Sequence, residues 1–274
     1  LLSASSPTGP AFEGAQISSG QRAAPGAIER VRINPETLEP RFKVIGCDLW
    51  SNDPSFESQL GAGAITGICG SGIIEVLAEM YLSCVINTDG VIDGGLINRS
   101  DRIVEDGRTF SYVLHAGSVT ITITQNDVRA IQLAKAALYA GVRLLMDKLN
   151  VDKIDRIRLA GAFGSHIDVK YAMVLGLIPD CAIENVTSAG NAAGSGAHIA
   201  LVDSNARLEI EKEVRRIEKI ETAVESRFQE HFIEAMAIPH KTASYPELSK
   251  VVSWPARSES KESVPSTGRR RRRR

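Results

Sequence analysis

Apolar and polar residues alternate along Arg156-Ile157-Arg158-Leu159, and the chain then runs into Ala160-Gly161-Ala162-Phe163-Gly164. That period of two predicts a half-buried strand over 154–160 that ends in a small-residue turn. A second glycine-rich turn, Ser188 to Ala197, opens a helix expected over 192–203. Upstream, Val119, Ile121 and Ile123 alternate with polar residues between Ser118 and Thr124, a strand with one buried face. Asn126 or Asp127 is then placed to cap a long helix with Val128, Ile131, Ala134, Leu138, Val142, Leu145 and Leu149 as its apolar stripe.

Nearer the start, strands are expected around 28–33 and 42–45, joined as a hairpin by Asn34-Pro35-Glu36. Ile73, Leu77, Met80 and Tyr81 recur at helical spacing, which puts the glycines of Gly67-Ile68-Cys69-Gly70-Ser71-Gly72 at a helix amino terminus. Residues 1–30 are punctuated by Pro and Gly in every window and read as loop. From Arg207 to Glu234 the chain is heavily charged, with a broken stripe of Leu208, Val214, Ile217, Ile220, Val224 and Phe228. An outer packed helix is the expectation there, and the irregular heptad makes a coiled coil the weaker reading.

Composition adds little that the pattern has not implied. Hydrophobic residues make up 43% of 274, enough for one large α/β domain or two lobes, and aromatics only 5%, so the core must be aliphatic. No apolar run is long enough to cross a bilayer and no secretory leader is legible, so a cytoplasmic protein away from membranes is expected. Cys47, Cys69, Cys84 and Cys181 show no close ligand spacing and read as reduced thiols. Leu1 stands where an initiator Met is expected, which predicts an amino-terminally truncated chain.

Charge is lopsided. The formal net charge is −1, of which the six arginines 269–274 supply +6, leaving −7 for the rest. The residues from about 256 switch to Ser, Pro, Glu and Arg, a composition expected to be disordered. No aromatics interleave the arginines, so a solvated tail is the plain reading and no nucleic-acid partner is expected.

The candidate chemistry lies in the glycine turns. Where side chains vanish at a strand's carboxyl end, a ligand can lie on bare backbone, and the N–H groups that open the next helix favour anions. Tight strand-to-helix turns also use glycine, so both readings stand. Gly70 and Gly72 could admit phosphate oxygens to backbone N–H groups, with Ser71 offering a hydroxyl, or they could form a cap without a ligand. No Lys follows in the Gly-Lys-Ser/Thr sense, which excludes a P-loop protein. Glu13, in a glycine-flanked loop, is the most interesting carboxylate, with a plain surface glutamate as the competing reading. His166 reads as structural or exposed. No metal-ligand cluster is legible.

Ser6-Pro7-Thr8-Gly9-Pro10-Ala11-Phe12-Glu13-Gly14-Ala15, Arg22-Ala23-Ala24-Pro25-Gly26-Ala27-Ile28, Gly67 to Gly72 and Leu159 to Gly164 together resemble the carboxyl-terminal ATPase domain of reductive activators of corrinoid proteins, over about residues 5–250. The resemblance implies an α/β fold of duplicated ribonuclease-H-like units, as in acetate kinase, Hsp70 and actin, with the first strands missing. It implies an ATPase domain over 1–240, with a second lobe over roughly 115–240, and an extension over 241–274. It further implies that Gly161, Ala162, Phe163 and Gly164 form the adenosine-side turn. Gly190, Asn191 and Gly194 would belong to a connecting helix on the cleft floor, and Gly67, Gly70, Ser71 and Gly72 to a phosphate-facing turn.

ATP and Mg²⁺ are the implied cofactors, with a [2Fe–2S] cluster only in an upstream domain. The implied partner is a corrinoid protein of a methyl-transfer system, and a homodimer is compatible. The activity implied is reduction of cobalt(II) to cobalt(I) coupled to ATP hydrolysis. Neither a ferredoxin cysteine run nor the superfamily's Asp-x-Gly-Thr hairpin precedes Leu1, so this chain is expected to bind nucleotide weakly and not to complete catalysis alone. A small-molecule kinase on the same fold and a non-catalytic nucleotide-binding or interaction domain are the alternatives.

Overall fold

The computed structural model of the chain describes residues 1–61 and 64–255. Local propensity fails first at the amino terminus. Residues read as loop include a short strand, β1 (Leu2–Ala4), which is stabilised from far away by parallel pairing with Glu218–Ile220. The expected hairpin is present as β2 (Ala27–Ile33) and β3 (Pro40–Val44), antiparallel with Val31 opposite Phe42. A short helix, α1 (Phe56–Leu60), and strand β4 (Gly67–Ile68) follow. β4 lies parallel to β2 only at Ala27 and Ile28, then turns into α2 (Gly70–Leu82).

That brief pairing leaves the rest of the β2 edge without a strand partner, and α2 seals it. Glu75 accepts the Val31 N–H at 2.9 Å, and Glu79, one helical turn on, accepts the Ile33 N–H at 2.9 Å. Alternate residues of a strand and residues four apart on a helix advance by similar distances, so two carboxylates replace a missing strand. Glu75 is fully buried and also takes the guanidinium groups of Arg30 (2.8 Å) and Arg32 (2.5 Å). Glu79 accepts the Tyr171 hydroxyl at 2.5 Å; burial, and then this carboxylate, push that phenol above its ordinary range. Ile73, Ile74, Val76, Leu77 and Met80 are buried all round α2, so the helix runs through the core rather than over it.

Strands β5 (Ile103–Asp106), β6 (Thr109–His115) and β7 (Ile121–Thr124) form an antiparallel sheet. Ile121 and Ile123 are buried as the alternation predicts, but Val119 lies outside the strand and is exposed. Helix α3 (Gln125–Leu149) starts two residues earlier than a cap at Asn126 allows and three earlier than one at Asp127. Thr124 is the cap, accepting the Asp127 N–H, while Asp127 returns the bond to the Thr124 N–H, a capping box. The second half of the chain contains β8 (Ile157–Ala160), α4 (Gly161–His166), α5 (Val169–Leu175), β9 (Val186–Gly190) and α6 (Ala192–Val202).

The charged segment 207–234 is not one packed outer helix. It divides into α7 (Ser204–Val214), β10 (Glu218–Ile220) and α8 (Phe228–Ala235), with Leu208, Val214 and Val224 exposed. Pairing of β10 with β1 replaces the helical stripe here: it buries Ile220 and gives β1 its strand partner. Helix α8 packs along α3, where Asp147 accepts from His231 Nε2 at 2.7 Å and Arg227 at 2.8 Å.

Residues beyond α8 pack back on the body. Tyr245, Leu248 and Val252 join the core, and Asp180 accepts the Glu247 and Leu248 N–H groups. The fully buried Lys135 donates to the Ala237 and Pro239 carbonyls at 2.5 and 2.8 Å, and burial holds its pKa well below the usual lysine range. The part of the chain read as disordered, with its polyarginine end, lies outside the described residues.

His240 closes this region. Its Nδ1 accepts the Thr242 and Ala243 N–H groups, at 3.2 and 2.9 Å, which requires the neutral ring. Burial, then the charges of Lys135, Arg143 and His231, lower its pKa from 6.5 to about 4. The unfolded chain therefore takes up this proton first as pH falls. Stability contributed by neutral His240 is complete above its unfolded value and is lost as pH drops toward about 4. A His240→Asn variant keeps an acceptor for the same N–H groups but does not titrate. The urea midpoint of the parent minus that of the variant is expected to decrease between neutral pH and the folded pKa, and a flat difference would refute the linkage.

Candidate functional site

Parallel pairing of β8 with β9 brings the two later glycine turns side by side. Ala160 is the register partner of Gly190, so Gly161 and Asn191 leave the same end of adjacent strands. At Gly161 (φ 92°) and Gly190 (φ 59°) the backbone is left-handed, and a Cβ at either would meet no atom within 4 Å. These are positions where only glycine relieves strain and where main chain stays uncovered. A hydrogen bond of 3.1 Å between the Ser165 and Ser188 hydroxyls ties α4 to β9 beside them.

Helix α6 begins immediately after Gly190. Asn191 caps it by accepting the Gly194 N–H at 3.0 Å, and a Cβ on Gly194 would run into that cap. Ser195 N bonds to the Asn191 carbonyl. The Ala192 and Ala193 amides thus lack an intrahelical acceptor, as at any helix start, and they follow the open turn directly. No residue of α6 is buried.

The earlier glycine turn is of another kind. A Cβ on Gly67 would strike the Ser19 carbonyl and the Gln21 side chain, both at 2.7 Å, and one on Gly72 would strike the Ile28 carbonyl. Both glycines exist for close chain packing. Ser71 is buried, with its hydroxyl 3.3 Å from Cys69 Sγ. Gly70 is the link between the turns: a Cβ there would overlap the Phe12 carbonyl and come within 2.8 Å of the Phe163 ring. Phe163 in turn stacks on Phe12, with centroids 5.9 Å apart and planes at 30°.

The structure therefore gathers Gly70, Gly161, Phe163, Gly164, Gly190, Asn191 and Gly194 into one neighbourhood and turns Gly67, Ser71 and Gly72 into the protein. Gly164 packs on Leu159, and the Ala162 side chain lies outside what the structure describes. Glu13 is exposed in a 3₁₀ turn (Ala11–Glu13), next in sequence to Phe12. His166 is exposed at the end of α4. The pattern missed Phe12, since an aromatic that stacks across 150 residues leaves no periodic trace. Among the described residues no group of three or more His, Cys, Asp or Glu could hold a metal ion, and no helix is long and apolar enough to cross a membrane.

Residues 1–249 match the family described as the C-terminal domain of RACo, the ASKHA domain. The corrinoid activation enzyme RamQ of Eubacterium limosum is 35% identical over 211 residues, covering 73% of this chain and 33% of that protein. A Methanosarcina barkeri protein described as [Co(II) methylated amine-specific corrinoid protein] reductase is 28% identical over 201 residues, covering 70% and 33%. The solved structure of a reductive activator for corrinoid, iron–sulfur protein aligns with a TM-score of 0.73 and 34% identity, covering 86% of this chain and 36% of the other. The chain spans about a third of the length of each of these relatives.

Proposed function

Because the chain belongs to the family of the C-terminal ASKHA domain of RACo, we propose that it builds one wall of an adenine-nucleotide site in a protein that couples ATP hydrolysis to reduction of cobalt(II) to cobalt(I) in a corrinoid protein. The observation that carries this reading is the juxtaposition of uncovered main chain at Gly161 and Gly190, on adjacent parallel strands beside the amino terminus of α6. Ligands in open α/β sheets collect at the carboxyl ends of strands for this reason.

In this reading the backbone of Gly161, Ala162 and Gly164 lies against the adenosine, with Phe163 fixing that turn through its stack on Phe12. The Ala192 and Ala193 amides, at the helix start set by Asn191 and Gly194, face negative charge. Gly67, Gly70 and Gly72 act through packing, holding α2 against these loops. Glu13, exposed in the turn next to Phe12, is the candidate carboxylate. Mg²⁺ would balance the phosphates. Residues 1–240 form the ATPase domain, with a second lobe from about 115. Electrons would come from a [2Fe–2S] domain elsewhere in the full-length protein.

The energetic requirement is modest. One-electron reduction against a gradient costs about 1.4 kcal/mol per ~60 mV, so several hundred millivolts lie within the reach of ATP hydrolysis. What the protein must supply is a nucleotide affinity that differs between two conformations, since only such a difference shifts the cobalt equilibrium.

Calorimetry with ATP and Mg²⁺ tests the nucleotide wall. Binding heat is expected from the unaltered chain. Gly161→Val and Gly190→Val should weaken it about tenfold or more, by filling space a ligand needs. Gly196→Ala, also in open space but at ordinary φ, should leave affinity unchanged. Absence of heat would favour a non-catalytic interaction domain. For the full-length protein, ATP hydrolysis is expected to accelerate with a cobalt(II) corrinoid protein, and no acceleration would remove the activator reading.

A further inference from the structure

The outward face of the β2–β3 hairpin carries four cations. Arg30 lies opposite Lys43 and Arg32 opposite Arg41 in the antiparallel register, so like charges face each other across the strands. Such pairs cost stability in a sheet, and this chain has a surplus of acids elsewhere that could have relieved them. Glu75 neutralises part of the Arg30 and Arg32 charge from behind. Arg41 and Lys43 have no carboxylate partner among the described residues.

Aromatic rings position these cations instead. The Trp50 ring has Arg41 at 5.1 Å and Arg32 and Lys43 each at 5.6 Å from its centroid. Tyr171 extends the arrangement, with Arg32 at 4.5 Å and Lys170 at 4.2 Å. A ring quadrupole orders a cation without cancelling its charge. An ion pair would have oriented these side chains and neutralised them together. The face is thus both pre-ordered and strongly positive.

We infer that this hairpin face is a docking surface for a carboxylate-rich protein surface. The inference deepens the proposed function, in which the domain must engage a second protein, and rests on it for the nature of that partner. A protein partner is favoured over a nucleic acid because Trp50, the aromatic that could stack a base, is already surrounded by three cations.

The test is binding of a labelled oligoglutamate peptide to the full chain with arginines 269–274 replaced by serine, so that the tail does not contribute. Salt-sensitive binding is expected. Arg41→Glu combined with Lys43→Glu should weaken it by about tenfold or more without lowering the thermal midpoint, because neither side chain makes an ion pair and the exchange removes like charges facing each other across the strands. Lys43→Arg should retain binding. Trp50→Leu keeps every charge and should lose affinity through disorder of the cations alone. Equal affinity of the double variant and its parent, or no peptide binding, overturns the inference. A single-stranded oligonucleotide of equal charge that binds more tightly through Arg41 and Lys43 overturns it too. These outcomes are independent of ATP hydrolysis: failure of corrinoid stimulation with peptide binding intact removes the activator reading and leaves the docking face.

Discussion

Replacing Glu75 with alanine is expected to lower folding stability by about 3 kcal/mol, one of the largest effects available in this chain. The carboxylate is fully buried and satisfies three donors: the Val31 N–H and the guanidinium groups of Arg30 and Arg32. The arginines are about a third exposed or less and can turn to water, so they recover part of the loss. The Val31 N–H cannot, and a buried donor without a partner costs about 1–3 kcal/mol. The cavity left by the side chain adds the remainder. Glu75→Gln keeps the shape and one acceptor and should cost less, about 1–2 kcal/mol. For a protein of this size the alanine variant should melt about 10 °C lower. A cost below about 1 kcal/mol in urea unfolding would mean that the β2 edge is satisfied in some other way.

Gly176→Ala should cost as much, for an unrelated reason. Gly176 ends α5 in the left-handed region (φ 71°), where alanine is strained by about 1 kcal/mol. Its new Cβ would also fall on the Pro239 carbonyl. That oxygen accepts from the buried Lys135 at 2.8 Å, so moving it away takes from this amino group one of the two carbonyls that satisfy it. The sum is expected to reach about 3 kcal/mol or more. Gly107 is the matching control: its φ is 63° but a Cβ there would touch nothing within 4 Å. Gly107→Ala should therefore cost only the backbone strain, about 1 kcal/mol. Equal urea midpoints for the two variants would show that the contact with Pro239 gives way without penalty.

Much of the fold was legible wherever local pattern and tertiary packing agree. The hairpin, α2, α3, β8 and the start of α6 all follow from periodicity and glycine placement, and the family motifs in the loops carry the ASKHA assignment. What escaped was decided at long range. β1 forms because a strand more than two hundred residues away pairs with it, and that same pairing breaks the helix read over 207–234. Glu75 and Glu79 look like ordinary polar positions on a helix. Only the short overlap of β4 with β2 makes them structural, and no spacing announces that.

The candidate site divides in the same way. A glycine in sequence says that a side chain is not tolerated, but not whether protein or ligand fills the space. Gly72 and Gly161 look alike on paper. One lies against the Ile28 carbonyl and the other faces empty space. Phe163 and Phe12 were each legible as part of a separate motif, but nothing in the sequence says that the two rings stack.

The meeting of Phe163 with Gly70 has a mechanical consequence. Gly70 is the first residue of a rigid thirteen-residue rod threaded through the core, and it has no side chain that could yield to the ring. Close-packed interiors pass on displacement rather than absorb it. Pressure on that ring from the strand-end turns must therefore be taken up by the whole rod, and the rod grips the hairpin through the paired carboxylates of Glu75 and Glu79. The two surfaces of interest, one built of bare backbone and one of ordered positive charge, are thus joined through a single stiff helix.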